Sequence, residues 1–188
     1  FEIERLGNFD SPWALEFLPD GRVLVSEMSG NLKLLDEDGR LLGNVSGVPE
    51  VAYGGQGGLG EIALHPSFER NSLVYISFAE TGEDNTYGAA IIRAKLNLSE
   101  DGGSLSSVET IWKQYPKVPG QGHFGHRITF DEAGYLWISS GERQKFDPAQ
   151  DMSSNLGKII RLNDDGSIPV DNPFFFGEGI TRELWSLG

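Results

Sequence analysis

The 188-residue chain carries 28 acidic and 15 basic side chains, and this formal net charge of −13 opposes binding to nucleic acid or to an anionic membrane. It has no cysteine, which excludes disulfides, a thiolate nucleophile and cysteine-ligated zinc, and no apolar run approaches the roughly 20 residues of a membrane-spanning helix. Its 25 glycines and nine prolines are spread along the chain, which favours many short strands joined by tight turns and thus an all-β fold.

The chain repeats one local pattern three times. An apolar alternating segment, a turn with Pro, Asp, Asn or Gly, a β-branched and aromatic segment and a closing glutamate follow each other at residues 12–27, 60–80 and 126–142. Such alternation is typical of strands, because successive side chains of a strand point to opposite faces of the sheet. We therefore predict three antiparallel hairpins, which end at Glu27, Glu80 and Glu142.

A second hairpin is predicted after each of the first three. Residues 31–45, 89–114 and 157–188 each contain a strand, a turn of the Asp-Gly type and a further apolar strand. Three copies of a four-stranded antiparallel unit, spaced by roughly 45 to 65 residues, are typical of β-propeller blades. A Greek-key sandwich is also all-β, but it does not predict this recurrence. The predicted blade boundaries are about 10–53 for blade 1, about 54–118 for blade 2 and about 119–188 for blade 3.

Three blades do not close a propeller, since known propellers have about 4 to 8. We therefore expect the chain to be the N-terminal half of a longer protein and to require the remaining half of the propeller as its partner. Residues 1–9 are predicted to form a strand that completes the last blade.

The propeller interpretation predicts where the loops meet. Loops that enter the innermost strands of the blades cluster at one mouth of the central channel, and Gln56 and His123 lie in these loops of blades 2 and 3. The second strand of each blade returns to the same face, which places Glu27, Glu80 and Glu142 near the rim. The expected position of these side chains and of the neighbouring glycines at one channel mouth predicts a small-molecule site.

Two short motifs suggest other sites, and neither fits its context. Residues 55–60 match G-x-G-x-x-G, but the helix of a dinucleotide site would have to run through Pro66. These glycines indicate a tight entry turn, either alone or together with room for a flat ligand. His123 and His126 form H-x-x-H, but no third ligand is evident, so no metal ligands are predicted in this chain and His126 is expected to be packed.

His123 is the main candidate for a catalytic group. It lies between glycines in an irregular loop, where an imidazole can act as a base near neutral pH; the alternative is a loop histidine bonded to backbone. Glu142 lies at the end of the hairpin that follows His123. It could orient the imidazole, hold a cation or be solvated.

Five stretches spanning nearly the whole chain resemble the soluble quinoprotein aldose sugar dehydrogenases of the glucose/sorbosone dehydrogenase group. They are SPWALEFLPDGRVLVSE, GGQGGLGEIALHPSFERNSLVYIS, GHFGHRITFDEAGYLWISSGE, AQDMSSNLGKIIRLNDDGSIPVDNPF and ELWSLG, and they occur in the family's order and spacing.

The resemblance implies a six-bladed propeller, of which this chain supplies three blades. It implies that the propeller binds pyrroloquinoline quinone (PQQ) and calcium and oxidises an aldose at its anomeric carbon to a lactone. By motif, His123 corresponds to the general base and a cofactor contact, Gln56 to a cofactor contact and Glu142 to a position near the substrate. An external electron acceptor and a periplasmic or secreted location are also implied.

The chain departs from the family pattern at its end. In the family, an Arg-Asn pair that helps hold the quinone follows the stretch matching ELWSLG, and the calcium ligands come later, whereas this chain stops at Gly188. We expect the calcium ligands mostly beyond residue 188 and the 188-residue piece alone to be inactive. Two other functions are compatible with a propeller: a metal-dependent sugar lactonase or hydrolase, and a non-catalytic binding module.

Overall fold

The structure is a computed structural model that describes residues 5–188. Its strands are β1 (Pro12–Phe17), β2 (Val23–Glu27), β3 (Asn31–Leu35), β4 (Leu41–Ser46), β5 (Leu59–Leu64), β6 (Leu73–Thr81), β7 (Thr86–Ser99), β8 (Gly102–Lys113), β9 (Val118–Pro119), β10 (Gly125–Phe130), β11 (Leu136–Ser140), β12 (Lys158–Leu162) and β13 (Leu184–Leu187). Helix α1 (Phe68–Asn71) and two short 3₁₀ helices (Asp147–Gln150 and Gly179–Glu183) are the helical elements of the described residues. No helix within residues 5–188 is both long enough and apolar enough to cross a membrane.

Twelve of these thirteen strands form three antiparallel units of four, and the two-residue strand β9 pairs with β7. Strands β1 to β4, β5 to β8 and β10 to β13 each pair in chain order, and we call these units blades 1, 2 and 3. Blades 1 and 2 also touch through a short parallel pairing of β4 with β8 at Val45 and Gly103. The predicted fold class, all-β with four-stranded antiparallel propeller blades, is confirmed.

Blade 2 is packed between its neighbours on both faces. Val74, Ile76 and Phe78 of β6 belong to an apolar cluster shared with blade 1, whereas the alternate residues Tyr75 and Ala79 belong to a cluster shared with blade 3. The two-residue period of a strand therefore serves two separate cores. This packing fixes the relative positions of the loops that enter the innermost strands.

The innermost strands β1, β5 and β10 share one irregularity. Each shows a register shift near its first residues, between Pro12 and Ala14, between Leu59 and Ile62, and between Gly125 and Ile128. Bulges bend a strand and redirect its side chains, and they are frequent next to functional sites. Each bulge lies at the start of its strand, and in β5 and β10 this is the end that the loops with Gln56 and His123 enter.

Two segments of the described chain are irregular. Residues 5–9 form no strand here; that residues 1–9 complete the last blade of a closed propeller stays a prediction, and residues 1–4 lie outside the described residues. In blade 3 no strand follows the Asp165-Gly166 turn directly, and β13 is reached only after an irregular segment, residues 163–183. Pro169 and Pro173 lie in that segment, and proline cannot donate a hydrogen bond to a strand ladder.

Candidate active site

The loops that enter β5 and β10 contact each other directly. The Gln56 backbone N–H donates to the Gln121 carbonyl at 2.8 Å, and the Gln56 side-chain Oε1 accepts the backbone N–H of His123 at 2.7 Å. The structure thus brings together the two side chains that were expected at one channel mouth. Their catalytic and cofactor-binding roles stay predictions.

His123 forms a pair with Glu142. Its Nδ1 lies 2.6 Å from Glu142 Oε1, which also accepts the Gln144 backbone N–H at 3.0 Å. The His123 side chain is 46% exposed, so the imidazole is held by Glu142 at Nδ1 while about half of the side chain is open to solvent. Of the three roles left open for Glu142, the geometry supports orientation of the imidazole.

The Glu142 carboxyl is an acceptor in this pair. Burial raises the pKa of Glu142, but the hydrogen bond from His123 and those from backbone N–H groups outweigh it and hold the pKa below its ordinary value. A carboxylate can only accept, so Nδ1 is the donor in this pair, and in the neutral imidazole the lone pair then lies on Nε2. Within residues 5–188 no group hydrogen-bonds to His123 Nε2 or to Gln56 Nε2, so a proton acceptor and an amide donor are available to a ligand.

The glycines of the site permit close approach between loops. A Cβ at Gly55 would lie 2.5 Å from the Gln121 carbonyl oxygen, and one at Gly141 would lie 1.9 Å from the His123 carbonyl oxygen. The strand β5, rather than a helix, follows the glycine run, which agrees with rejection of the dinucleotide motif. Loop packing therefore accounts for these glycines.

Backbone strain is concentrated around His123. Ten non-glycine residues of the described chain have a positive φ angle, and five of them lie between residues 123 and 146: His123, His126, Arg143, Gln144 and Phe146. Side chains with a Cβ adopt this conformation only where the surrounding structure enforces it, and such residues are frequent at functional sites.

Two buried side chains that the sequence analysis did not identify support these loops. Gln114 Nε2 donates to the carbonyl oxygens of Phe124 (3.2 Å) and Gly141 (2.9 Å), and Arg143 donates to the carbonyl oxygens of Gly120 and Gly122. Neither residue belongs to a recognisable motif. Only the positions of Gln114 just after β8 and of Arg143 just after Glu142 place them near the site.

Glu27 and Glu80, the other carboxylates predicted at the rim, have structural partners. Glu27 is 4% exposed and accepts the Asn31 side-chain amide at 2.9 Å. Glu80 forms ion pairs with Lys113 at 3.0 Å and Lys117 at 2.8 Å. Both lie at the ends of the second strands of blades 1 and 2, and Glu142 lies just after the second strand of blade 3, but neither Glu27 nor Glu80 pairs with a histidine.

His126 is packed rather than available for ligands. It is 2% exposed, its Nδ1 lies 2.8 Å from Ser77 Oγ, and its ring stacks on Trp13 with 6.2 Å between centroids. Within residues 5–188 no group of three or more His, Cys, Asp or Glu side chains is arranged to hold a metal ion. The H-x-x-H spacing therefore reflects one loop histidine and one core histidine.

The burial of His126 predicts a pH-dependent stability. Desolvation, with a smaller contribution from the charge of Arg143, lowers the pKa of His126 to about 4. Between pH 6.5 and 4 the unfolded chain takes up a proton here and the folded chain does not. Acidification over this range should lower the free energy of unfolding by about 3 kcal/mol through this group, and the loss should level off below pH 4.

The measurement is urea denaturation of the wild type and His126→Gln at several pH values. The variant should lack this part of the pH dependence, whereas the contributions of all other titrating groups cancel in the comparison. Equal pH dependence in the two proteins would contradict a neutral, buried His126.

Comparison with known proteins identifies similar sequences over almost the whole chain. The sequence profile described as Glucose / Sorbosone dehydrogenase matches residues 9–188. The aldose sugar dehydrogenase YliI of Escherichia coli K12 is 39% identical over 180 residues, which cover 95% of this chain and 48% of YliI. The chain thus spans about half the length of this curated relative.

Solved structures agree with this similarity. The apo form of the soluble aldose sugar dehydrogenase of Escherichia coli superimposes with a TM-score of 0.89 at 39% identity, over 95% of this chain and 51% of that one. The PQQ-bound aldose sugar dehydrogenase of Streptomyces coelicolor superimposes with a TM-score of 0.77 at 31% identity, over 96% of this chain and 51% of that one.

Proposed function

Since the chain belongs to the glucose/sorbosone dehydrogenase family, we propose that it forms part of a quinoprotein that oxidises aldose sugars at the anomeric carbon to lactones. The observation that carries this proposal is the His123–Glu142 pair, which contacts Gln56 where the loops of blades 2 and 3 meet. The similarity to a PQQ-bound aldose sugar dehydrogenase supports the choice of cofactor.

The residues present fit one side of a PQQ site. PQQ is a flat molecule with polar oxygens at its edge, and it requires donors and acceptors on an open surface. The half-exposed His123 and the exposed Gln56 each present a polar nitrogen that has no partner among residues 5–188. We propose that these two side chains contact the cofactor and that calcium is held mostly by residues outside this chain.

The bound quinone would supply a two-electron acceptor for the hydride of the sugar's anomeric carbon. The chain's own contribution is to remove the hydroxyl proton. With Nδ1 bonded to Glu142, Nε2 of the neutral imidazole can accept that proton, and loss of the proton makes the adjacent C–H bond easier to break. A positioned general base contributes about 10²- to 10⁴-fold to the rate.

Glu142 supports His123 during this proton transfer. Its carboxylate accepts Nδ1–H, which keeps the imidazole in the tautomer with a free Nε2 and stabilises the imidazolium that forms. Gln56 fixes the position of the same residue by accepting its backbone N–H. We propose that the sugar binds on the open side of the imidazole, that an external acceptor receives the electrons, and that the protein is periplasmic or secreted.

The test is reconstitution of the intact protein that carries this chain. With PQQ and calcium added, glucose or another aldose should reduce an artificial dye acceptor, with no reduction when PQQ or sugar is omitted, and NMR of the product should show the lactone. Hydrolysis of a sugar lactone without quinone would instead support the lactonase alternative. Absence of aldose-dependent reduction with PQQ bound would contradict the proposal.

A further inference from the structure

Arg143 is a fully buried cation beside the His123 loop. It is 1% exposed, and it follows Glu142 directly in the chain. Its backbone N–H donates to the His123 carbonyl oxygen at 3.2 Å. Its own backbone is strained, with a φ angle of +60°.

The guanidinium joins the His123 loop to blade 2. Nε donates to the Gly122 carbonyl at 2.9 Å, Nη2 donates to the Gly120 carbonyl, and Nη1 donates to the Tyr87 carbonyl of β7 at 2.5 Å. Its central carbon lies 3.7 Å from the centroid of the Phe124 ring. The guanidinium of Arg143 thus bonds to Gly120 and Gly122, which flank Gln121, and it stacks on the ring of Phe124, which follows His123.

This arrangement is not explained by charge pairing. Arg143 forms no ion pair with a carboxylate of residues 5–188, since its neighbour Glu142 pairs with His123. Burial lowers the pKa of Arg143 to about 10, and Glu142 acts in the opposite direction, so the side chain is charged at neutral pH. A buried charge is costly, and an apolar side chain of similar volume would fill the same space. What an apolar side chain cannot do is bind three carbonyl oxygens in a fixed geometry.

We propose that Arg143 is a positioning residue, which sets the position of His123 by fixing the backbone of residues 120–124 against blade 2. The His123 imidazole itself is 46% exposed and, among residues 5–188, hydrogen-bonds to Glu142 alone, so its location depends on the backbone that carries it. A shift of about 1 Å in a catalytic group can lower a rate about 10²-fold. The catalytic consequence rests on the proposed function, whereas the structural consequence does not.

The matched comparison is Arg143→Met against Arg161→Met. Arg161 lies in the same blade, is 4% exposed and places its guanidinium 4.0 Å from the Tyr135 ring centroid. It bonds to Asp171 and makes no contact with the His123 loop. Both variants remove a buried guanidinium that stacks on an aromatic ring, but only Arg143→Met removes hydrogen bonds to the His123 loop.

The first readout is the NMR spectrum of the His123 ring in ¹⁵N-histidine-labelled intact protein without PQQ, assigned by comparison with His123→Gln. Arg143→Met should shift or broaden the His123 signals, and Arg161→Met should leave them unchanged.

The second readout is the steady-state kinetics of aldose oxidation with PQQ bound. Arg143→Met should lower kcat about 100-fold with little change in KM, and Arg161→Met should stay within about 3-fold of the wild type.

The proposal is overturned by wild-type His123 signals in Arg143→Met, or by equal effects of the two substitutions. If Arg143→Met does not fold, Arg143→Lys takes its place, because lysine keeps the charge but lacks the planar fork; unchanged signals and kcat in that variant would likewise overturn the proposal. If the wild type shows no PQQ-dependent turnover, the proposed function fails, and the NMR comparison still decides the role of Arg143.

Discussion

Replacing His123 by glutamine should lower kcat for aldose oxidation about 10²- to 10⁴-fold in the intact protein with PQQ bound, because glutamine is polar and similar in length but cannot accept a proton at neutral pH. Steady-state dye reduction at saturating sugar and cofactor measures this effect. Since the His123 side chain is about half exposed, the free energy of unfolding should change by no more than about 0.5 kcal/mol.

Glu142→Gln serves as the graded comparison for this prediction. The variant can still accept a hydrogen bond from Nδ1, but it cannot stabilise the imidazolium, so its kcat should fall less than that of His123→Gln. Wild-type turnover in the His123 variant would show that this residue is not the base. A larger loss in the Glu142 variant than in the His123 variant would contradict the proposed division of roles.

Replacing Gly141 by alanine should damage the site without removing any functional group. The added Cβ would lie 1.9 Å from the carbonyl oxygen and 2.6 Å from the carbonyl carbon of His123, and backbone atoms cannot rotate away from it. The loop with His123 or the end of β11 must therefore move. We expect kcat to fall about 10²-fold and the free energy of unfolding to fall by about 1–3 kcal/mol.

The matched control is Gly134→Ala in the turn at the opposite end of the same hairpin. A Cβ at Gly134 would meet no atom within 4 Å, but the φ angle of +87° makes alanine unfavourable there. This variant should lose about 1 kcal/mol of stability and keep wild-type turnover. Kinetic measurement together with urea denaturation separates the two cases, and unchanged kcat in Gly141→Ala would show that the His123 loop tolerates displacement.

The strands and their grouping could be predicted because they depend on local pattern. Apolar alternation, the Asp-Gly turns and the threefold recurrence predict the positions of most strands from β1 to β12. They also predict that Gln56 and His123 occupy equivalent positions in adjacent blades. Once blades are assumed, the entry loops of adjacent blades must be neighbours. The contact between Gln56 and His123, separated by 67 residues, follows from that topology.

The irregular segments could not be predicted in the same way. Residues 163–183 contain an Asp-Gly turn like those of the other blades, yet no strand follows it directly, and β12 pairs with β13 across a long connection that contains two prolines. Glu27, Glu80 and Glu142 occupy matching places in the repeat. Only the three-dimensional neighbours show that two of them pair with asparagine or lysine and one with histidine.

The amino-acid pattern alone was therefore sufficient for the all-β class, the four-stranded units and the end of the sheets where a site would lie. The tertiary structure alone revealed the contact between His123 Nδ1 and Glu142 and the buried Arg143 that holds the loop from 21 residues away. The physical reason is that the two kinds of feature depend on interactions over different distances along the chain. Alternation reports which face of its own strand a side chain occupies, whereas a hydrogen bond between loops depends on the packing of whole blades, which no short stretch of sequence encodes.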